Sequence, residues 1–400
     1  MDSFDGFSPA SESGEAFVAN WERNSEALQS GLYDPADERD SCGVGLVAAL
    51  DGRKRRDVVE AGIEALKAIW HRGAVDADGK TGDGAGIHVE IPQDFFADAI
   101  GVPQAERDAG VPLAVGQVFL PKTDLAAQER CRQIIETEIL KFGYSIYGWR
   151  QVPIDTSCIG EKANATRPEI EQIIIRGKTD RSEADFERDL YVIRRRIEKS
   201  AIADQVDLYI CSLSCRSLIY KGMFLAENLT DFYPDLLDER FTSRFAIYHQ
   251  RYSTNTFPTW KLAQPFRRVA HNGEINTISG NVNWMRSHET RLADPELDPF
   301  MNDIKPVVQV GGSDTATLDN VFELLTHAGR DAPAVKALMI PASVGAHSHM
   351  KASHRDMFAY CNAVMEPWDG PAALCATDGR WIIAGLDRSA AGLPCLPAAV

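Results

Sequence analysis

The side chains best suited to chemistry fall in four short stretches. These are Cys42-Gly43-Val44-Gly45, His249-Gln250-Arg251-Tyr252-Ser253-Thr254-Asn255-Thr256, His271-Asn272-Gly273-Glu274-Ile275-Asn276 and Gly311-Gly312-Ser313-Asp314-Thr315. A lone cysteine at the head of a strand is more often a small buried hydrophobe than a nucleophile. Gly43 and Gly45, however, leave room beside Cys42 for backbone or a ligand to approach. If the chain is cut after Ser41, Cys42 gains a free α-amine, which titrates near ~8 in model peptides. That amine can take the thiol proton directly or through water. Nucleophile and base then belong to one residue, and no catalytic histidine is required.

The other three stretches each have a plain reading and a chemical one. Arg251, among hydroxyl and amide side chains, suits a carboxylate because its fork binds both oxygens; in isolation it is a surface salt bridge. Asn272-Gly273 after a strand is ordinarily a tight turn. It can also aim a side-chain amide and a backbone N–H at one point, the geometry of an oxyanion hole. Ser313 or Asp314 caps a helix, or Asp314 holds an ammonium group. One nucleophile, two oxyanion donors, a carboxylate binder and an ammonium binder together fit an α-amino acid with a side-chain amide. Glutamine has all those parts.

These residues need elements to position them, and the apolar pattern supplies candidates. Residues 42–50 open with an apolar run that reads as a buried strand, and 58–69 has the spacing of a helix. Residues 86–92 alternate like a strand stopped by proline. A strand is expected at 113–120, a helix at 126–142, strands at 170–175, 207–214 and 217–220, and a charged amphipathic helix at 186–200. Short strands at 245–249 and 268–271 run into the polar turns that hold Arg251 and Asn272. A helix over 314–328 places Leu318, Val321, Phe322 and Leu325 on its apolar side, and 372–377 with 381–385 reads as a hairpin across Asp378-Gly379. Strands and helices without regular βαβ alternation predict α+β packing with largely antiparallel sheets.

The chain has 400 residues, 44% of them hydrophobic and 25% charged, enough for one large core or two ordinary ones. A net charge of −16 repels phosphate backbones, so no nucleic-acid partner is expected. No apolar stretch approaches the ~20 residues that span a bilayer, so no membrane partner is expected either. The start, Met1-Asp2-Ser3-Phe4-Asp5, lacks the basic and apolar regions of a secretory signal. Eight scattered cysteines form no disulfide framework, and a cytoplasmic location is the expectation. Residues 1–41, rich in Ser, Asp and Glu, read as a flexible tail or as a propeptide ending at Ser41.

Taken in order, the segments resemble the class II glutamine amidotransferase domain, and more closely the N-terminal domain of glutamate synthase large chains. The resemblance runs from Cys42 to about Arg388. It rests on Cys42-Gly43-Val44-Gly45, His71-Arg72-Gly73-Ala74, Thr81 to Gly86, Tyr220-Lys221-Gly222-Met223, His249 to Trp260, Ala263-Gln264-Pro265-Phe266-Arg267, His271 to Thr277 and Met365 to Pro371. Each match alone is weak; the ordered series is specific. It implies a four-layer αββα N-terminal-nucleophile hydrolase sandwich with two stacked antiparallel sheets, and autocatalytic removal of residues 1–41. It also implies roles: Cys42 attacks the side-chain carbonyl of L-glutamine, Asn272 and Gly273 hold the oxyanion, Arg251 binds the carboxylate and Asp314 the α-amine. Ammonia leaves, and water hydrolyses the γ-glutamyl thioester to glutamate.

In full-length relatives the ammonia passes to a distant FMN site and reductively aminates 2-oxoglutarate. An iron–sulfur cluster and a smaller NAD(P)H-oxidising chain belong to the same implied assembly. No cofactor is expected within 42–388, and the remaining synthase domains are implied partners. After Arg388 the sequence departs from the family pattern, so 389–400 reads as an atypical end. Two alternatives stay open. One is another class II amidotransferase, against which the segments at 255–260 and 264–267 speak. The other is a catalytically silent, unprocessed fragment that acts only as a folding or docking module.

Weaker signals take plainer readings. Gly82-Asp83-Gly84-Ala85-Gly86 lacks the lysine of a phosphate loop and is expected to pack closely beside the Cys42 strand. His347, His349 and His354 have no Cys or carboxylate cluster at metal-ligand spacing, and no metal site is expected. Cys211 and Cys215 read as core thiols on one strand face. Arg194-Arg195-Arg196 reads as a solvated helix face.

Overall fold

The computed structural model describes residues 43–251, 257–342 and 350–386. Cys42, the 1–41 segment, residues 252–256, His347 and His349, and the 389–400 end therefore lie outside the described residues. In chain order the described strands are β1 (Val44–Ala48), β2 (Ala85–Glu90), β3 (Leu113–Leu120), β4 (Ser145–Gln151), β5 (Glu169–Arg176) and β6 (Tyr209–Ser214). They continue with β7 (Ser217–Gly222), β8 (Phe245–Gln250), β9 (Val269–Gly273), β10 (Ala372–Thr377) and β11 (Ile382–Leu386). All pair antiparallel. The first sheet has the order β1-β8-β2-β7, the second β4-β5-β3-β6 and the third β11-β10-β9.

Side-chain alternation decides how the sheets stack. Phe245 and Ile247 of β8 join Val44 of β1 on one face of the first sheet, and meet Ala270, Ala373 and Cys375 of the third sheet in a thin apolar layer. The opposite face of the first sheet presents Ile87, Val89, Leu218, Tyr220 and Ala246 to Val58, Val59, Ile63 and Leu66 of the helix Arg56–Ala68. The opposite face of the third sheet, with Val269, Leu374 and Ala376, packs on Leu318, Val321, Phe322 and Leu325 of the helix Asp314–His327. Each Val, Leu, Ile or Phe among them contributes roughly 1.5–3 kcal/mol when fully buried. The result is a helix–sheet–sheet–helix α+β sandwich, the architecture that the resemblance to N-terminal-nucleophile hydrolases implies. The second sheet continues from β7 through β6 and is covered by the helices Leu125–Lys141 and Glu183–Ala203.

Three sequence expectations need correction. Arg194 and Arg195 are only 2% and 5% exposed, not a solvated face. Their helix lies against the helix Asp314–His327, where Glu323 pairs with Arg194, while Glu198 takes both arginines. Gly82 and Gly86 do pack closely, but against Phe224 and the Gln264 carbonyl. The strand β8 separates β2 from β1, so the Cys42 strand is not the neighbour. Cys211 is a core thiol, whereas Cys215 lies beyond the end of β6, half-buried, with its sulfur 3.3 Å from Glu187.

Candidate active site

The strand β1 meets β8 with Val44 opposite His249, and the Gln250 N–H donates to the Gly43 carbonyl at 2.7 Å. A Cβ on Gly43 would lie 2.4 Å from the Gln250 carbonyl oxygen and 3.7 Å from Asn272 Oδ1. Only glycine fits there. Its lack of a side chain lets the residue that follows Cys42 sit against the Asn272 amide.

On β9 the backbone pairing sorts donors by position. The Arg268 carbonyl accepts from Thr377 N–H at 2.8 Å while its N–H donates to Asp319 Oδ1 at 2.7 Å, and within the strand residues 270 and 272 turn their peptide groups toward β10. Residues 269, 271 and 273 turn theirs to the free edge. Val269 N–H is met by Asp319 Oδ1 at 3.0 Å and its carbonyl by Phe266 N–H at 2.9 Å. His271 N–H donates to Gln264 Oε1 at 2.8 Å, and its carbonyl accepts from Gln264 Nε2 at 3.0 Å. Gly273 is the third edge position, and its N–H points off the strand. With φ of +111° and a Cβ position 1.9 Å from the Pro371 oxygen, residue 273 must be glycine. The Asn272 side chain takes the opposite face, that of Ala270, toward the first sheet.

Asp314 opens its helix, but Ser313 does the capping: its hydroxyl accepts from Ala316 N–H at 3.1 Å. Asp314 Oδ2 is thereby available to accept from Ile275 N–H at 3.0 Å, while Oδ1 accepts from Thr315 N–H at 2.7 Å. The carboxylate thus clamps the loop that follows Gly273. A cavity of about 900 Å³ opens beside it, lined also by Glu274, Asn276, Arg286 and Gln309. That volume is ample for an amino acid. Among the described residues, its lining does not include Arg251, Asn272 or Gly273.

Arg251 closes the set at the end of β8. Its N–H donates to the Gly84 carbonyl at 2.9 Å, and its φ is +96°. A non-glycine residue in that region is strained by roughly 1–2 kcal/mol, and such residues cluster at functional sites.

One buried hydrogen-bond cluster indexes all these positions, and sequence reading missed it. His249 Nε2 donates to the His271 carbonyl at 3.1 Å, and His271 Nδ1 meets Thr315 Oγ1 at 2.9 Å. Gln264 bridges the backbone of His271 as described above. All four side chains are buried. Three of them stand one or two residues from a proposed ligand-binding group: His249 from Arg251, His271 from Asn272, Thr315 from Asp314. Burial lowers the His249 pKa to about 3 and holds His271 below its ordinary value, so both rings stay neutral and donate or accept without adding charge. The only advance signal was that His249, Gln264 and His271 fell inside the recognised segments.

The model of the class II glutamine amidotransferase family matches residues 42–394. The chain is 64% identical over 378 residues to the glutamate synthase [NADPH] large chain of Azospirillum brasilense, covering 94% of this chain and 25% of that one. It is 40% identical over 363 residues to the corresponding chain of Bacillus subtilis, covering 90% and 24%. Against the chloroplastic ferredoxin-dependent glutamate synthase of Spinacia oleracea it is 42% identical over 366 residues, covering 90% and 22%. The chain spans about a quarter of the length of these curated relatives.

Proposed function

The chain belongs to the class II glutamine amidotransferases, and from that membership we propose that it hydrolyses L-glutamine to L-glutamate and ammonia through Cys42. Removal of residues 1–41 frees the Cys42 α-amine, which takes the thiol proton. The sulfur attacks the side-chain carbonyl carbon, a C–S bond forms, and the carbonyl electron pair moves to oxygen. Asn272 Nδ2 and Gly273 N–H stabilise that oxyanion. On collapse the C–N bond breaks, the ammonium proton passes to the departing nitrogen, and ammonia leaves. Water then displaces the thiol from the thioester. Arg251 binds the substrate carboxylate and Asp314 its α-ammonium.

The observation that carries this reading is Gly43. It is wedged between the Gln250 carbonyl and Asn272, and one peptide step, ~3.8 Å between α-carbons, separates it from Cys42. The N–H of Gly273, directed to the free edge of β9, supports the same reading. We further propose that the ammonia serves reductive amination of 2-oxoglutarate in a full-length glutamate synthase, with a smaller NAD(P)H-oxidising chain as partner. Among the described residues no group of three or more His, Cys, Asp or Glu side chains is placed to hold a metal ion. The FMN and iron–sulfur cluster implied for the full-length enzyme are assigned, on this proposal, to the part of the relatives that this chain does not match.

Intact-mass analysis and an ammonia assay test the proposal together. The active protein should have lost residues 1–41 and release ammonia and glutamate in equal amounts. Cys42→Ala should release none. Turnover by that variant, or by protein that retains residues 1–41, would overturn the mechanism; an inactive, unprocessed protein would favour the silent fragment.

A further inference from the structure

The third sheet stops at β9, yet the free edge of β9 is not open. Two side chains from elsewhere in the sequence occupy it: Asp319 at Val269, and Gln264 at His271. The Gln264 carboxamide does what a neighbouring strand would do, accepting from the His271 N–H and donating to its carbonyl at 2.8 and 3.0 Å. It is 5% exposed. The same nitrogen lies 3.4 Å from Thr315 Oγ1, beside Asp314, and the same carbonyl also receives His249 Nε2. His271 is thereby fixed on three sides. The next peptide group along this edge is that of Gly273.

We infer that Gln264 is a positioning residue for the oxyanion donors: its carboxamide replaces the strand that β9 lacks, and so sets the direction of the Gly273 N–H. The inference rests on the glutaminase reading above. It goes further by assigning a role to a residue outside the set proposed above as nucleophile, oxyanion donors and substrate binders. A donor held by one neighbouring peptide on a strand that ends at a glycine is free to swing. Hydrogen bonds two residues upstream restrict that swing, and a displacement of ~1 Å at such a donor is enough to cost about 100-fold in rate.

The test uses the processed full chain with Gln264→Leu and Gln264→Glu, and two inhibitors. One is the γ-aldehyde of glutamate, to which the Cys42 thiol adds reversibly; the sulfur bonds to the aldehyde carbon, and the resulting oxyanion requires the hole. The other is glutamate, which binds without forming an oxyanion. For Gln264→Leu, kcat should fall about 10- to 100-fold with KM for glutamine within about twofold. Inhibition by the aldehyde should weaken by a similar factor while inhibition by glutamate is unchanged. Gln264→Glu keeps the acceptor and loses the donor, and should fall between wild type and Gln264→Leu. A purely structural role would lower the unfolding temperature or the fraction of reactive Cys42, and would weaken both inhibitors alike or neither. That result, or an unchanged kcat in either variant, overturns the inference. A wild-type protein that never hydrolyses glutamine would instead defeat the underlying reading of the site.

Discussion

Two buried polar regions lie at the two ends of β9, and they are built from opposite materials. At the Gly273 end the partners are neutral: His249, Gln264, His271 and Thr315, joined at 2.8 to 3.1 Å for the bonds that fix His271. At the Val269 end they are ionised: Arg194 and Arg195 with Glu198 and Glu323, Arg267 with Glu198 and Asp319, and Arg268 with Glu187. Charges inside a protein reach far because the medium screens them poorly. Neutral groups next to the site hold its geometry without competing with the charge that develops on the substrate. The ionised cluster is set one strand-length away, where it locks two helices and the root of β9.

The comparison predicts that damage to the two regions separates cleanly. Arg194→Met should give the largest effect, a loss of about 3–5 kcal/mol in unfolding free energy, because it leaves Glu323 and part of Glu198 buried without a counter-charge. Denaturant titration measures this, and kcat of the folded fraction should be unchanged; a large kcat defect at full stability would dissolve the division. Asn272→Ala comes next. It should lower kcat by about 10²–10³, equivalent to roughly 2.7–4 kcal/mol, with stability nearly intact. A normal rate would remove Asn272 from the hole.

The smallest effect is in pH dependence, and the two regions should pull in opposite directions. Burial lowers the pKa of His249 to about 3 and depresses His271. Unfolding returns them toward ~6.5, so the unfolded chain binds more protons below that value. Their contribution to stability is present above pH ~6.5 and is lost as pH falls below it, for His249 toward its folded value of about 3. Asp319 runs the other way. Burial, followed by Glu323, raises its carboxyl to about 6, above the ~3.9 of an unfolded aspartate. Its contribution is therefore complete below ~4 and is lost as pH rises through 6. His249→Asn should flatten the rise of stability between pH 4 and 6.5, and Asp319→Asn should steepen it. Parallel slopes for both variants would show that neither group titrates as its surroundings dictate.

How far the sequence reaches is uneven, for physical reasons. The expected strand at 113–120 and the strand at 372–377 coincide with β3 and β10, because runs buried along their whole length carry a strong apolar signal. The helix Asp314–His327 buries all four residues chosen from its periodicity, Leu318, Val321, Phe322 and Leu325. By contrast, β4 is half-exposed along its length and gives no alternation to read. The helix Ala352–Val364 buries only Cys361, so it has no apolar stripe. At the candidate site, residue types were legible but partnerships were not. Asp319 looks like a surface acid on a helix until β9 is laid beside it, and Gln264 looks like a loop amide until it is found completing a sheet. The arginine run failed for the same reason: its counter-charge Glu323 stands 129 positions away.

The closed edge of β9 has a consequence for how molecules meet one another. A strand with unclaimed N–H and C=O groups invites a foreign chain to add to it, which is how fibrillar association starts. Here the groups at 269 and 271 are engaged within the fold. Among the described residues, what remains at this edge of β9 is the peptide of one glycine, too short a stretch for a second chain to zip along. If Gly273 serves the oxyanion as proposed, the edge keeps a donor for a small molecule without becoming adhesive to a neighbour.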